Sequence, residues 1–218
     1  MNDQLEGMIK IKNAEFKPSK KALNNFLKGK RLNYWWNENE ESRFLDLYMD
    51  YWFNYELKKY RISCFSKTAT ETLMWAHYSD KHSGICLMYD KDILLQSLKS
   101  IDNFELISVQ YGVKPTITLL EKENRIEYES DIPIISAKDS NWKYEKEVRI
   151  YHIHEEGEYH RDSFYTPREA LLGIIYGYQI PEDDKDAISM ILRNEPHYGH
   201  VEEYDEVIDY ELGRIIIE

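Results

Sequence analysis

SCFSKTATETLMWAHYSDKHSGICLMYD, residues 63–90, reads as strand, helix, turn and strand, and it holds most of the side chains able to do chemistry. Ile62, Cys64 and Ser66 alternate onto one face of a strand that starts at Arg61. Thr68 followed three residues later by Glu71 fits a capping box, which predicts a helix from about Ala69. On that helix Leu73, Met74 and His77 share one side, while Trp75 and Tyr78, three apart, are neighbours on another. Asp80 to Gly84 is turn-like, with Gly84 able to take a positive φ. Ile85 to Tyr89 is apolar on both faces, the pattern of a central strand. The helix therefore lifts His77 and Tyr78 toward the ends of two strands.

A second stretch, WKYEKEVRIYHIH at 142–154, looks like the partner of the first. Glu145 to His154 alternates as a strand: Val148, Ile150 and His152 point one way, and Glu145, Glu147, Arg149 and Tyr151 the other. Strands 61–66, 84–89 and 145–153 are expected in one sheet. Elsewhere, helices are predicted from Lys17 to Leu27, Glu38 to Lys59, Lys91 to Ser100, Pro115 to Tyr128 and Glu182 to Arg193. The aromatic face of the second, with Phe44, Tyr48, Tyr51, Trp52 and Tyr55 at helical spacing, reads as core. Further strands are expected at Glu105 to Tyr111 and Leu171 to Tyr178, and a hairpin across Tyr210 to Gly213. The fold class is α+β: a single domain over residues 1–218, with a mixed, mostly antiparallel sheet flanked by helices.

Composition narrows the function. The 218 residues carry 28 basic and 40 acidic side chains, a net charge of −12, and a bulk acidic surface repels phosphate backbones. That argues against a dedicated nucleic-acid binder. Residues 182–218 hold twelve carboxylates and three basic residues, a solvated face or a dock for a basic protein partner. Cys64 and Cys86 sit in apolar strand contexts without metal-ligand spacing and read as reduced, packed thiols. Neither a signal segment nor a membrane-length apolar run is present in the sequence, so a cytoplasmic protein is expected. His152, His154 and His160 are irregularly spaced and read as surface residues. Oligomeric state stays open.

Cys64-Phe65-Ser66, then Met74-Trp75-x-His77-Tyr78, His82-x-Gly84 and Trp142-x-Tyr144-Glu145-x-Glu147-x-Arg149 together resemble a bacterial family known as domain of unknown function 2971. Asn2-Asp3-x-Leu5-Glu6 is similar to that family's Asn-Asp-Pro-x-Glu turn, with Gln4 in place of the proline. In the family the turn lies some tens of residues inside the protein. The resemblance therefore implies a first segment that is missing here, and a loosely held stretch at 1–12.

Glu145-x-Glu147 followed by Val148 resembles the Glu-x-Glu strand of arginine-type ADP-ribosyltransferases, and Ser63 to Ser66 sits where those enzymes carry a Ser-Thr-Ser strand. That second resemblance implies NAD as the cofactor. Glu147 would be the catalytic carboxylate and Glu145 would orient the acceptor. Tyr78 or Trp75 would stack on nicotinamide beside Ser66, and His77 or Arg149 would hydrogen-bond ribose or phosphate. The family's first-strand arginine has no counterpart here. Breaking the nicotinamide–ribose bond passes through an oxocarbenium-like state, which a placed carboxylate stabilises. The residues themselves leave other readings open. Glu145, Glu147 and Arg149 can be an ion ladder and the tryptophans core; His77, His82 and Glu147 can be ligands of a metal-dependent hydrolase.

Overall fold

A computed structural model of the protein describes residues 10–13, 15–29, 44–52, 55, 57–99, 104–153 and 166–218. In chain order its elements begin with β1 (Lys10–Ile11), α1 (Lys20–Gly29), α2 (Phe44–Tyr51), β2 (Tyr60–Ser66), α3 (Thr72–Tyr78) and β3 (Ile85–Tyr89). They continue through α4 (Lys91–Leu98), β4 (Phe104–Ser108), β5 (Gln110–Tyr111), β6 (Thr116–Lys122), β7 (Arg125–Ser130), β8 (Ala137–Lys138) and β9 (Glu147–Ile153). The last are β10 (Leu171–Tyr176), α5 (Glu182–Asn194), β11 (Glu202–Asp209) and β12 (Arg214–Ile217). The class is α+β, with mixed, mostly antiparallel sheets beside helices.

Strand order is β1-β6-β7, β12-β11-β10-β3, β2-β9-β4 and β5-β8. The chain divides into two compact units: the described residues of Met1–Ser63 with Ile107–Lys143, and Cys64–Leu106 with Tyr144–Glu218. In the first, Ile117 and Leu119 of β6 alternate inward against Leu23, Phe26 and Leu27 of α1 and Phe44, Tyr48 and Tyr51 of α2. Phe26 meets Tyr51 edge-on at 5.3 Å between ring centres, a favoured aromatic geometry. Ser19 caps α1, accepting the Ala22 N–H while its own N–H and hydroxyl donate to Glu121 at 2.8 and 2.6 Å. In the second unit, Trp75, Ile175 and Ile215 pack on one face of the four-stranded sheet, and Ile174, Tyr176 and Leu192 gather in a separate cluster.

Several expectations give way. Residues 116–130 form a β-hairpin, not a helix after Pro115: Ile117 pairs with Ser130 through to Lys122 with Arg125. Its two-residue turn, Glu123–Asn124, holds both φ angles positive, at 49° and 60°, which matches strand twist and outweighs proline's helix-starting preference. Strand 85–89 is not in the sheet that joins 60–66 to 147–153. It lies at the edge of the four-stranded sheet, with Ile85 and Leu87 exposed, rather than centrally. The central strand is β9, which explains why both its faces, Arg149 and Tyr151 as much as Ile150 and His152, are buried. His152 is thus no surface residue; its ring lies 4.8 Å from Phe104. Cys64 is exposed and Cys86 half-buried.

The helix at 72–78 starts three residues later than the capping box implies. Thr68 Oγ1 accepts the Thr70 N–H at 3.3 Å in a local turn, and Glu71 becomes the N-cap residue without a side-chain bond. The predicted helix over 38–59 is seen as α2 and a 3₁₀ turn at Leu57–Lys59. Lys10 and Lys12 donate to Pro115 and Ile117 carbonyls, each at 2.8 Å; residues 1–9, like His154 and His160, lie outside the described residues.

Candidate functional site

Tyr144 and Glu145 end a 3₁₀ turn, Ser140–Glu145, and Lys146 then takes a positive φ of 46° before β9 begins. Glu145 therefore leaves the strand register that its spacing from Glu147 suggested. Its backbone is tied to the end of β2: the Ser66 hydroxyl lies 2.8 Å from the Glu145 carbonyl, and the Lys67 N–H donates to the Lys146 carbonyl at 3.2 Å. Its side chain is turned in, with the residue 2 % exposed, and accepts the Tyr78 hydroxyl at 2.7 Å. Tyr78 itself is 62 % exposed, so the ring stands in solvent while its oxygen reaches a sheltered carboxylate. His77, one residue earlier on α3, is exposed, with its ring 6.3 Å from that of Tyr144.

Glu147 and Arg149 lie two apart on the same face of β9 and pair with each other. Arg149 Nε donates to Oε1 at 2.7 Å and Nη2 to Oε2 at 3.2 Å, a two-pronged match of guanidinium to carboxylate. Exposures of 5 % and 3 % make this a buried ion pair rather than a surface ladder. Trp75 is sealed in the core, donating its indole N–H to the Ala69 carbonyl at 2.6 Å. Of the residues singled out in the sequence, Ser66, Tyr78 and Glu145 therefore come together, Glu147 and Arg149 form a buried pair, and Trp75 packs inside.

Sequence reasoning missed Glu206. Its carboxylate is fully buried and bonds His82 Nδ1 at 2.7 Å through Oε1, while Oε2 accepts the Tyr178 N–H at 3.2 Å. Glu206 shares the β11 face of Tyr204 and Ile208, and a charge among inward positions of an alternating strand was the available signal. The His82 ring lies between Trp75, parallel at 6.3 Å, and Tyr178, tilted at 4.7 Å. Three successive left-handed residues, Asp80, Lys81 and His82, bring it there, and Gly84 takes no positive φ. Gly84 is instead a packing position, since a Cβ would crowd Ser79 at 3.1 Å.

A third polar group joins β10, α5 and β11. The Tyr176 hydroxyl donates to Glu203 at 2.6 Å, and the Ser189 hydroxyl donates to the same oxygen. Burial first, then the Glu203 carboxylate, pushes Tyr176 up to about 12; the Ser189 and Tyr176 hydroxyls hold Glu203 below the usual carboxylate range. Among the described residues, no three His, Cys, Asp or Glu side chains come together as a metal site.

Among the words that carried the first resemblance, Met74 to Gly84 sit on α3 and its following turn, and Trp142 to Arg149 on the 3₁₀ turn and the start of β9. Residues 74–150 match the family model described as Protein of unknown function (DUF2971). The DUF2971 stretch holds His77, Tyr78, His82, Glu145, Glu147 and Arg149; Ser66 and Glu206 lie beyond its limits. No curated protein matches the chain, and no solved structure does. No helix of the described residues is long and apolar enough to cross a membrane.

Proposed function

We propose that the protein is an NAD-consuming enzyme of the ADP-ribosyltransferase kind, with Glu145 as its working carboxylate. The observation that supports this most directly is the Tyr78–Glu145 hydrogen bond: a sheltered carboxylate held by the hydroxyl of an exposed aromatic ring. The donor set suits NAD in part. Glu145 would supply negative charge for a developing oxocarbenium ion, and the exposed Tyr78 ring would stack on a nicotinamide ring. Arg149 and Trp75 suit it less, because one is engaged by Glu147 and the other is core.

In this reading the ribose displaces the Tyr78 hydroxyl from Glu145 and takes over its hydrogen bond. The C1′–N bond then breaks, its electron pair leaves with the nicotinamide nitrogen, and a hydroxyl or amine acceptor or water closes on C1′, giving up a proton to solvent. His77 and the Ser66 hydroxyl are the neighbouring polar groups. The test is nicotinamide release from NAD, followed by chromatography. Glu145→Gln keeps the shape and removes the charge, and it should slow release by on the order of 10²-fold. Release by the unaltered protein no faster than in buffer, or an unaffected Glu145→Gln variant, removes the proposal.

A further inference from the structure

The His82–Glu206 pair has the arrangement of a reactive imidazole and stands apart, as chemistry, from the NAD reading. Glu206 Oε1 lies 2.7 Å from His82 Nδ1, and Oε2 accepts the Tyr178 N–H at 3.2 Å, so both oxygens are engaged. The ring proton is assigned to Nδ1, facing that carboxylate. Nε2 is then the lone-pair nitrogen. Among the described residues no protein group hydrogen-bonds Nε2, and it is not one of the enclosed, unsatisfied atoms; the side chain as a whole is 10 % exposed.

The surroundings hold the ring rather than consume it. The His82 N–H donates to the Ser79 hydroxyl at 3.1 Å, that hydroxyl donates to the Trp75 carbonyl, and the His82 carbonyl accepts the Gln179 N–H at 3.0 Å. A histidine needed only to fill the core would carry no such cost. Burying polar groups carries a desolvation cost that a well-packed apolar side chain avoids.

We propose that His82 and Glu206 form a second reactive site, in which Nε2 is a nucleophile toward uncharged acyl donors. Glu206 and the exposed Asp80 in the same turn disfavour phosphoryl donors, whose anionic oxygens they would repel, whereas an ester carries no charge to repel. In the first step Nε2 attacks the carbonyl carbon and the N–C bond forms. The ester C–O bond breaks, and its electron pair departs with the alkoxide or phenoxide. The Nδ1 proton passes to Glu206, leaving a neutral acyl-imidazole. Water then cleaves the N–acyl bond, yielding the carboxylic acid; Glu206 returns its proton to Nδ1, and the second proton of the water goes to the departed alkoxide or, with a phenoxide, to solvent.

The experiment uses the full chain with p-nitrophenyl acetate, following p-nitrophenolate by absorbance. The expected result is a rate above buffer that falls at least about tenfold in His82→Gln. Glu206→Gln, which retains an acceptor for Nδ1 but not the charge, should fall in between, and His200→Gln, at an exposed position outside both sites, should leave the rate unchanged. Equal rates for the unaltered protein and His82→Gln, or an equal loss in His200→Gln, overturn the proposal. Because His82→Gln can also unsettle the turn, a second measurement needs no variant. Diethyl pyrocarbonate, added in small excess and mapped by peptide mass, should modify His82 ahead of the exposed His77, His197 and His200. A protein whose exposed histidines react while His82 stays unmodified sinks the proposal. Neither measurement involves NAD, so its outcome is separate from that of the proposed transferase.

Discussion

At the scale of single residues, the Glu-x-Glu pair splits into two unlike carboxylates, and the split can be measured. Glu147 faces Arg149 in a buried two-pronged pair. Its removal leaves a guanidinium charge in a low-dielectric place, which typically costs roughly 3–5 kcal/mol. Glu147→Gln should therefore destabilise the protein by about 3 kcal/mol, or slightly less where the amide oxygen keeps one hydrogen bond. Urea unfolding of the two proteins at neutral pH measures it. A difference within about 0.5 kcal/mol, the usual range for a surface change, would return Glu147 to the status of a mobile exposed side chain. Glu145 is a different case. One of its partners is the neutral Tyr78 hydroxyl, and for that bond Glu145→Gln exchanges one acceptor for another.

At the scale of elements, the Tyr176–Glu203–Ser189 group links β10, β11 and α5 and predicts a stability profile bounded at both ends of the pH range. Glu203 is held below its ordinary value. Its contribution is present above the ordinary carboxylate range and is lost as pH falls through the lowered value. Tyr176 is raised from 10.0 to about 12. Its contribution is present below 10 and is lost as pH rises through 12. Urea midpoints of Tyr176→Phe should therefore lose less on the alkaline side than those of the unaltered protein, and Glu203→Gln should do the same on the acid side. Parallel curves for all three proteins would show that these hydroxyl bonds do not differ between folded and unfolded chains. The elements themselves were unevenly legible. Helix α4 and the β11–β12 hairpin lie where the sequence predicts them, and in the structure Asp90 caps α4 through the Asp92 and Ile93 N–H groups while Gly213 takes φ +60°. The 116–130 hairpin was not, because Pro115 signals a helix start while the Thr116-Ile117-Thr118 alternation signals a strand, and only the turn at Glu123–Asn124 decides between them. The candidate site was legible as residue types on α3 and before β9. It was not legible as geometry: one left-handed residue, Lys146, moves Glu145 out of the strand and onto Tyr78. Glu206 pairs with a residue 124 positions away, a separation that no local pattern reports.

At the scale of the whole molecule, a net charge of −12 on 218 residues sets a condition on stability. Like charges repel more strongly in the folded chain than in the expanded one, and salt screens that repulsion once the Debye length falls from about 30 Å at 0.01 M to about 8 Å at 0.15 M. The midpoint of thermal unfolding should rise by a few degrees over that range of sodium chloride. The buried Glu147–Arg149 pair is sheltered from screening and opposes this little, whereas exposed pairs such as Lys122 with Glu129 weaken and reduce the gain. A midpoint that falls on adding salt would mean that attractive pairs outweigh the surplus of carboxylates.

Gly177 sits where a Cβ would lie 2.1 Å from the His82 carbonyl oxygen, so two stretches of backbone pass each other with no room for a side chain. Gly177 and Gln179 donate their N–H groups across that gap to the carbonyls of Gly84 and His82, each at 3.0 Å. Those two amides are therefore a built-in gauge. In a nitrogen–proton NMR spectrum their shifts and hydrogen exchange rates report whether the 79–84 turn is seated, without a label on the turn itself. Acylation of His82, or any molecule that pries the turn loose, would be read first at Gly177 and Gln179, nearly a hundred residues along the chain from the event.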